Sequence, residues 1–246
     1  MDKVWEVDIN NANVVVQSTD EGFIMAGNKD SSIFIQKRDA IGGSSWSKTY
    51  NFSAFDEAND VIRSTDSNYV MVGSRLTVGN EKDILLVKFD ENGDTLFSRT
   101  YGSQYNDVGN SVIVTADGGY AIIGYTTISI LGYSQVWMIK IDANGFVLWE
   151  QKFGLLNQES KGVSIRNTSD GGYIIAAEKD KLYSYSWLIK TDANGVTAVD
   201  EVNKEGLKGK LLKIVDVLGR ETKAVSNTPL FYIYEGGTVE KKIILN

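Results

Sequence analysis

Four aspartates recur along the chain at near-constant spacing: Asp20, Asp66, Asp117 and Asp170, separated by 46, 51 and 53 residues. Carboxylates repeated in this way could form an acid/base set or share a cation. They could equally start turns in which a short carboxylate caps neighbouring backbone N–H groups. Each precedes Glu-Gly, Ser-Asn or Gly-Gly, so turn capping is the expected role. Asp90-Glu91-Asn92-Gly93-Asp94 resembles part of a calcium loop, but it lacks spaced carboxylates and a distal Glu and reads as a hairpin turn. A second constellation lies ten and seven residues before each repeated aspartate: Asn10/Asn13, Asp56/Asn59, Asp107/Asn110 and Ser160/Val163. Amides and carboxylates ringed at one mouth of a repeat assembly could hold a cation or a polyol, which makes Asp56, Asn59, Asp107 and Asn110 the candidate ligand-binding residues. The same residues could simply cap loops.

Two absences narrow the chemistry further. The 246 residues include no Cys and no His. Thiolate nucleophiles, disulfides, zinc–thiolate sites and imidazole bases are therefore excluded. Paired Asp or Glu could still hydrolyse a glycosidic bond, but no pair is singled out by spacing, so no catalytic residue, metal or cofactor is expected. Residues 1–199 carry 25 acidic and 17 basic side chains, net −8. Nucleic acid calls for a concentrated Lys/Arg patch, which this body lacks. No apolar run is long enough to span a membrane, and Met1–Asp8 lacks the continuous apolar core of a signal peptide.

The elements that must position these residues are short strands. A Lys-x-Asp motif follows each repeated aspartate, at Lys37/Asp39, Lys88/Asp90, Lys140/Asp142 and Lys190/Asp192. Aromatic pairs then close three repeats: Trp46/Tyr50, Phe97/Tyr101 and Trp149/Phe153. Fixed per repeat, these aromatics read as packing between units more than as a sugar platform, and the lysines as solvated strand ends. In the second repeat the strands are expected at 61–64, 69–73, 83–88 and 95–101, separated by Asp/Asn/Gly turns.

Four strands every ~50 residues is the dimension of a β-propeller blade. The fourth repeat holds Val199 and Asn203 where the aromatic pair should be, while Trp5/Ile9 stands alone before the first repeat with the same spacing of four. The expected fold is all-β: a four-bladed propeller over 1–199, closed by strand 4–9 completing blade four against 186–190. A linker at 200–209 leads to a small C-terminal β unit at 210–246, with strands at 210–216, 229–234 and 238–245.

This last unit has an Asp216-Val217-Leu218-Gly219-Arg220 turn, a Tyr-rich strand with Tyr232 and Tyr234, and a basic, apolar final strand with Lys241 and Lys242. Residues 200–246 carry 7 acidic and 8 basic side chains, net +1. That combination resembles a type A C-terminal sorting domain of the type IX secretion system of Bacteroidetes, and the repeats are similar to those that precede such domains in surface proteins. The resemblance implies that Asp216, Gly219, Arg220, Tyr232, Tyr234, Lys241 and Lys242 form the sorting signal. It also implies that the type IX machinery is a partner and that the protein is secreted or held at the outer-membrane surface. The expected function is a non-enzymatic binding or adhesion module for a glycan or protein ligand. The alternatives are a carboxylate-based carbohydrate-active enzyme and a fragment of a larger structural surface protein.

Overall fold

The computed structural model describes residues 6, 12–79, 81–179, 185–197, 211–216, 219–223, 225, 228–234 and 239–243. The chain divides into two compact units, Met1–Ala198 and Val199–Asn246. Among the described residues every regular element is a strand and none is a helix.

In the first unit the strands meander, each pairing antiparallel with the next, to give successive sheets. The first sheet is β1(Ala12–Gln17), β2(Phe23–Lys29), β3(Ser32–Arg38) and β4(Ser44–Tyr50). The second is β5(Asp56–Arg63), β6(Tyr69–Leu76), β7(Lys82–Phe89) and β8(Thr95–Tyr101), and the third is β9(Asp107–Val114), β10(Tyr120–Thr127), β11(Ser134–Ile141) and β12(Val147–Phe153). The fourth sheet has three described strands: β13(Ser160–Asn167), β14(Tyr173–Lys179) and β15(Tyr185–Thr191).

The first strand of each sheet begins earlier than its apolar alternation suggests: β5 starts at Asp56, not Val61. A β-bulge explains the difference. The pairing slips between Ala12 and Val14, Ala58 and Asp60, Gly109 and Ser111, and Gly162 and Ser164. One residue is left extra each time, and it is Asn13, Asn59, Asn110 or Val163. A bulge breaks the period of two, which hides the front half of the strand from a pattern reading.

Sheets two and three are apolar on both faces, as near-continuous runs such as Tyr69–Val72 and Tyr120–Ile123 require. Ile24, Ile33, Tyr69, Met71 and Val87 fill the space between sheets one and two. Val70, Leu86, Tyr120 and Ile139 fill the next, and Ile123, Met138, Ile165 and Ile175 the third. The first strands also pack in series, β1 on β5, β5 on β9 and β9 on β13. β13 does not pack on β1 in this way, and Leu188 on the far face of the fourth sheet is 72% exposed. Val4, Trp5 and residues 7–9, on which the expected closing strand rests, lie outside the described residues, as does the linker 200–209.

In the second unit β16(Leu211–Val215), β17(Pro229–Tyr234) and β18(Val239–Ile243) form an antiparallel sheet with β17 central. Leu230, Tyr232 and Tyr234 are buried there against Ile214.

Candidate functional site

The bulges aim side chains across the gap between neighbouring first strands. Asn13 Nδ2 donates to the Ala58 carbonyl at 3.3 Å, Asn59 Nδ2 to Gly109 at 2.9 Å, and Asn110 Nδ2 to Gly162 at 2.7 Å. Each acceptor directly precedes the bulged residue of the next sheet. Asp60 adds a second link, accepting from Ser111 Oγ at 2.9 Å and Val112 N at 3.0 Å. The first strand is the edge of its sheet, with a row of unpaired backbone groups. Side chains of the preceding sheet meet part of that row. Val163, at the fourth bulge, has no amide to pass on.

Asp56 and Asp107 are fully buried at the start of their strands. Asp56 Oδ2 accepts from Phe52 N at 2.6 Å and Ser53 N at 2.9 Å, and its Oδ1 accepts from Ser53 Oγ at 2.5 Å. Asp107 Oδ2 accepts from Ser103 N, while its buried Oδ1 has no hydrogen-bond donor among the described residues. Burial raises the Asp107 carboxyl above the usual carboxylate range, and the neighbouring Asp83 pushes it further up. The four candidate residues thus fall into two bulge amides that join sheets and two buried carboxylates that fasten loops. Asn10 lies outside the described residues.

The repeated aspartates do cap turns: Asp20, Asp117 and Asp170 accept from Gly22 N, Gly119 N and Gly172 N, and Asp66 from Asn68 N. They also bind the repeated lysines, in the pairs Lys37–Asp20 (2.7 Å), Lys88–Asp66 (2.6 Å), Lys140–Asp117 (2.9 Å) and Lys190–Asp170 (2.7 Å). Lys37, Lys88 and Lys140 are therefore not solvated strand ends, whereas Lys190 is solvated. The side chains of Lys37, Lys88 and Lys140 are 8, 8 and 5% exposed, because the next sheet covers each; Lys190, on the last sheet, is 44% exposed. Burial alone would raise Asp66, but the Lys88 ammonium and the hydrogen bonds from Asn68 together outweigh it and hold the carboxyl at about 2. Hydrogen bonds from Thr115 and Lys140 hold Asp117 at about 2.

The aromatic pairs are inter-sheet clasps. A Cβ added at Gly93, Gly145 or Gly195 would lie 2.7 Å from the Trp46 ring, 3.1 Å from Phe97 or 2.5 Å from Trp149. Each aromatic thus presses on the glycine turn of the following sheet. Tyr50 and Tyr101 donate to the carbonyls of Gly93 and Gly145. The 90–94 segment is a hairpin turn, with Asp90 Oδ1 accepting from Asn92 N and Asp94 N at 2.9 and 2.8 Å.

Between sheets three and four the fit is incomplete. A groove of about 520 Å³ opens there, lined by Asp117, Lys140, Leu148, Trp149, Tyr173 and Ala193 among others. Tyr173 is 4% exposed and Trp149 meets it edge-on, with ring centroids 6.3 Å apart. No residue type singled out in the sequence points to this groove: Ala193 stands where the first turn has Glu91, but Ala143 stands there too in the second turn.

In the C-terminal unit Asp216 folds its own turn. Its Oδ1 accepts from Arg220 N at 3.0 Å, its Oδ2 from Arg220 Nε at 2.7 Å, and Gly219 sits at φ 78°. Lys241 and Lys242 pair with Phe231 and Leu230 in the β17–β18 ladder.

No protein-family model matches the chain, and no curated protein matches it either. Solved structures do. An endo-arabinase from Bacteroides thetaiotaomicron matches at 11% identity and a TM-score of 0.50, covering 96% of this chain and 94% of that one. A catalytically inactive virginiamycin B lyase from Staphylococcus aureus with quinupristin matches at 13% identity and 0.47, covering 98% and 74%. The Neurospora crassa Pan2 WD40 domain matches at 12% identity and 0.45, covering 96% and 76%. The likeness to the arabinase concerns the fold alone, which is all-β and propeller-like.

Proposed function

We propose that the chain is a secreted or cell-surface binding module, built from a four-bladed propeller and a C-terminal sorting unit read by the type IX secretion machinery. The observation that carries the binding role is the groove between sheets three and four. There an otherwise regular set of inter-sheet contacts leaves a buried tyrosine facing open space. A non-enzymatic role is favoured by the use made of the repeat carboxylates, which hold turn amides and lysines. Closure by residues 4–9 is part of the same reading. Three aromatic pairs clasp the turn of the following sheet, and Trp5/Ile9 has the spacing to do the same for the turn at Gly42.

The sorting role is supported by the self-contained Asp216–Arg220 turn and the tyrosine-rich central strand. A glycan array run beside a hydrolysis screen tests the module. Saturable binding without turnover is expected, and turnover of any glycan would replace the binder by an enzyme. Removal of residues 207–246 should abolish export in a type IX-competent Bacteroidetes host, and unchanged secretion would end the sorting role.

A further inference from the structure

Sheets one to four meet at three interfaces, and each interface sets a tyrosine beside a lysine of the preceding sheet. Between sheets one and two, Glu91 reaches in from the β7–β8 turn. It accepts from Lys37 Nζ through Oε1 and from the Tyr69 hydroxyl through Oε2. Between sheets two and three the turn residue is Ala143, and the Tyr120 hydroxyl bonds Ser64 Oγ at 2.6 Å instead.

Between sheets three and four neither solution is present. Ala193 replaces the glutamate. Thr115, the counterpart of Ser64, gives its hydroxyl proton to Asp117 at 2.6 Å. The Tyr173 hydroxyl makes no hydrogen bond to any described residue, although the ring is almost wholly buried and borders the groove. The hydroxyl is not sealed from solvent, and the groove it borders, about 520 Å³, far exceeds the ~30 Å³ share of a single water.

We propose that this groove binds a small organic carboxylate, whose carboxyl group lies between Lys140 Nζ and the Tyr173 hydroxyl, where the Glu91 side chain lies in the first interface. The body of the ligand rests against Trp149 and Leu148, which give the groove an apolar wall. Lys140 Nζ donates to both Asp117 oxygens, at 3.0 and 2.9 Å, and to the Ile141 carbonyl at 3.1 Å, so a ligand carboxylate takes over one of its three donors. Lys37 shows that a lysine at this position serves two carboxylates together, since it pairs with Asp20 and Glu91 at once. The inference deepens the binding-module reading and rests on it.

Calorimetric titration of the full chain with glucuronate and with N-acetylglutamate tests the proposal, and the two probes separate a sugar carboxylate from an amino-acid one. Glucose and N-acetylglutaminamide, in which both carboxyl groups are amides, are the uncharged counterparts. At least one carboxylate should bind saturably with one-to-one stoichiometry, and its neutral counterpart about tenfold or more weakly, the scale of a lost charge-assisted hydrogen bond. Ala193→Glu restores the missing side chain and should abolish binding without lowering the melting temperature. Tyr173→Phe should weaken binding about five- to tenfold, while Tyr69→Phe, in the filled interface, should leave it unchanged. The proposal fails if no carboxylate saturates the wild-type chain, or if Tyr173→Phe and a folded Ala193→Glu both bind as wild type. A neutral glycan bound equally by wild type and Ala193→Glu would overturn this site while leaving the binding-module reading standing.

Discussion

Asp56 and Asp107 stand at one phase of the repeat, both fully buried, yet substitution should affect them in opposite ways. Asp56 receives donors on both oxygens. Asp56→Asn turns one acceptor into a donor facing another donor and should cost about 1.5–3 kcal/mol, the range for hydrogen bonds to charged groups. Asp107 is raised by burial and by Asp83, so the folded state holds its proton more tightly than the unfolded chain does. Its contribution to stability therefore declines as pH rises above about 4 through the raised value. Asp107→Asn removes that decline, and urea melts at pH 4, 5.5 and 7 should show the variant gaining on wild type with each step. Parallel curves would refute the assignment. Asp66 and Asp117, held at about 2 by their lysines and turn hydrogen bonds, have the reverse sign. The stability they supply is complete above about pH 4 and is lost as pH falls towards 2.

At the scale of the element, the glycine turns divide into clasped and free. Gly93 at φ 75° lies under Trp46, whereas Gly118 at φ 80° has nothing within 4 Å of an added Cβ. Gly118→Ala should cost about 1–2 kcal/mol, the left-handed penalty alone. Gly93→Ala must also displace the Trp46 ring, adding about 1–3 kcal/mol of overpacking. The difference between the two variants in thermal denaturation measures the clasp, and equal losses would remove it. These turns were legible in the sequence because Asp-x-x-Gly and the aromatic spacing repeat so regularly. The strands were legible where alternation holds, and hidden where a bulge breaks it, as at Asn59. The burial of Lys37, Lys88 and Lys140 was not legible at all. It depends on the sheet that follows, which no local pattern records. The groove was hidden for a related reason: Ala143 and Ala193 are the same residue in the same turn, and only the packing around Tyr173 distinguishes the third interface from the second.

At the scale of the molecule, the prediction concerns the two ends of the series. Lys190 is exposed where its three counterparts are covered, as expected of a sheet with no described neighbour on its outer face. If Trp5 seats on the Gly42 turn as Trp46 does on Gly93, Trp5→Ala should destabilise the first unit by about 3–5 kcal/mol. That is a large share of a typical ~5–15 kcal/mol. A melting temperature unchanged by the substitution would count against closure of the first unit by that strand. The C-terminal unit has a core of its own, Leu230, Tyr232 and Tyr234 with Ile214, so removing it should leave that melting temperature within about a degree or two, consistent with independent units.

The three bulge-asparagine links run one way, from each of the first three sheets to the carbonyl ahead of the next bulge. Such joints work like couplings between railway carriages: every carriage carries a hook in front and an eye behind. A gene that duplicates or drops one internal carriage reproduces matching couplings on both sides, so the length of the train is free to drift without any new contact being invented. The fourth carriage, with Val163 where its hook should be, is where the coupling stops. The asparagine link is therefore one that a repeat can carry or lack singly, and in Val163 the fourth repeat lacks it.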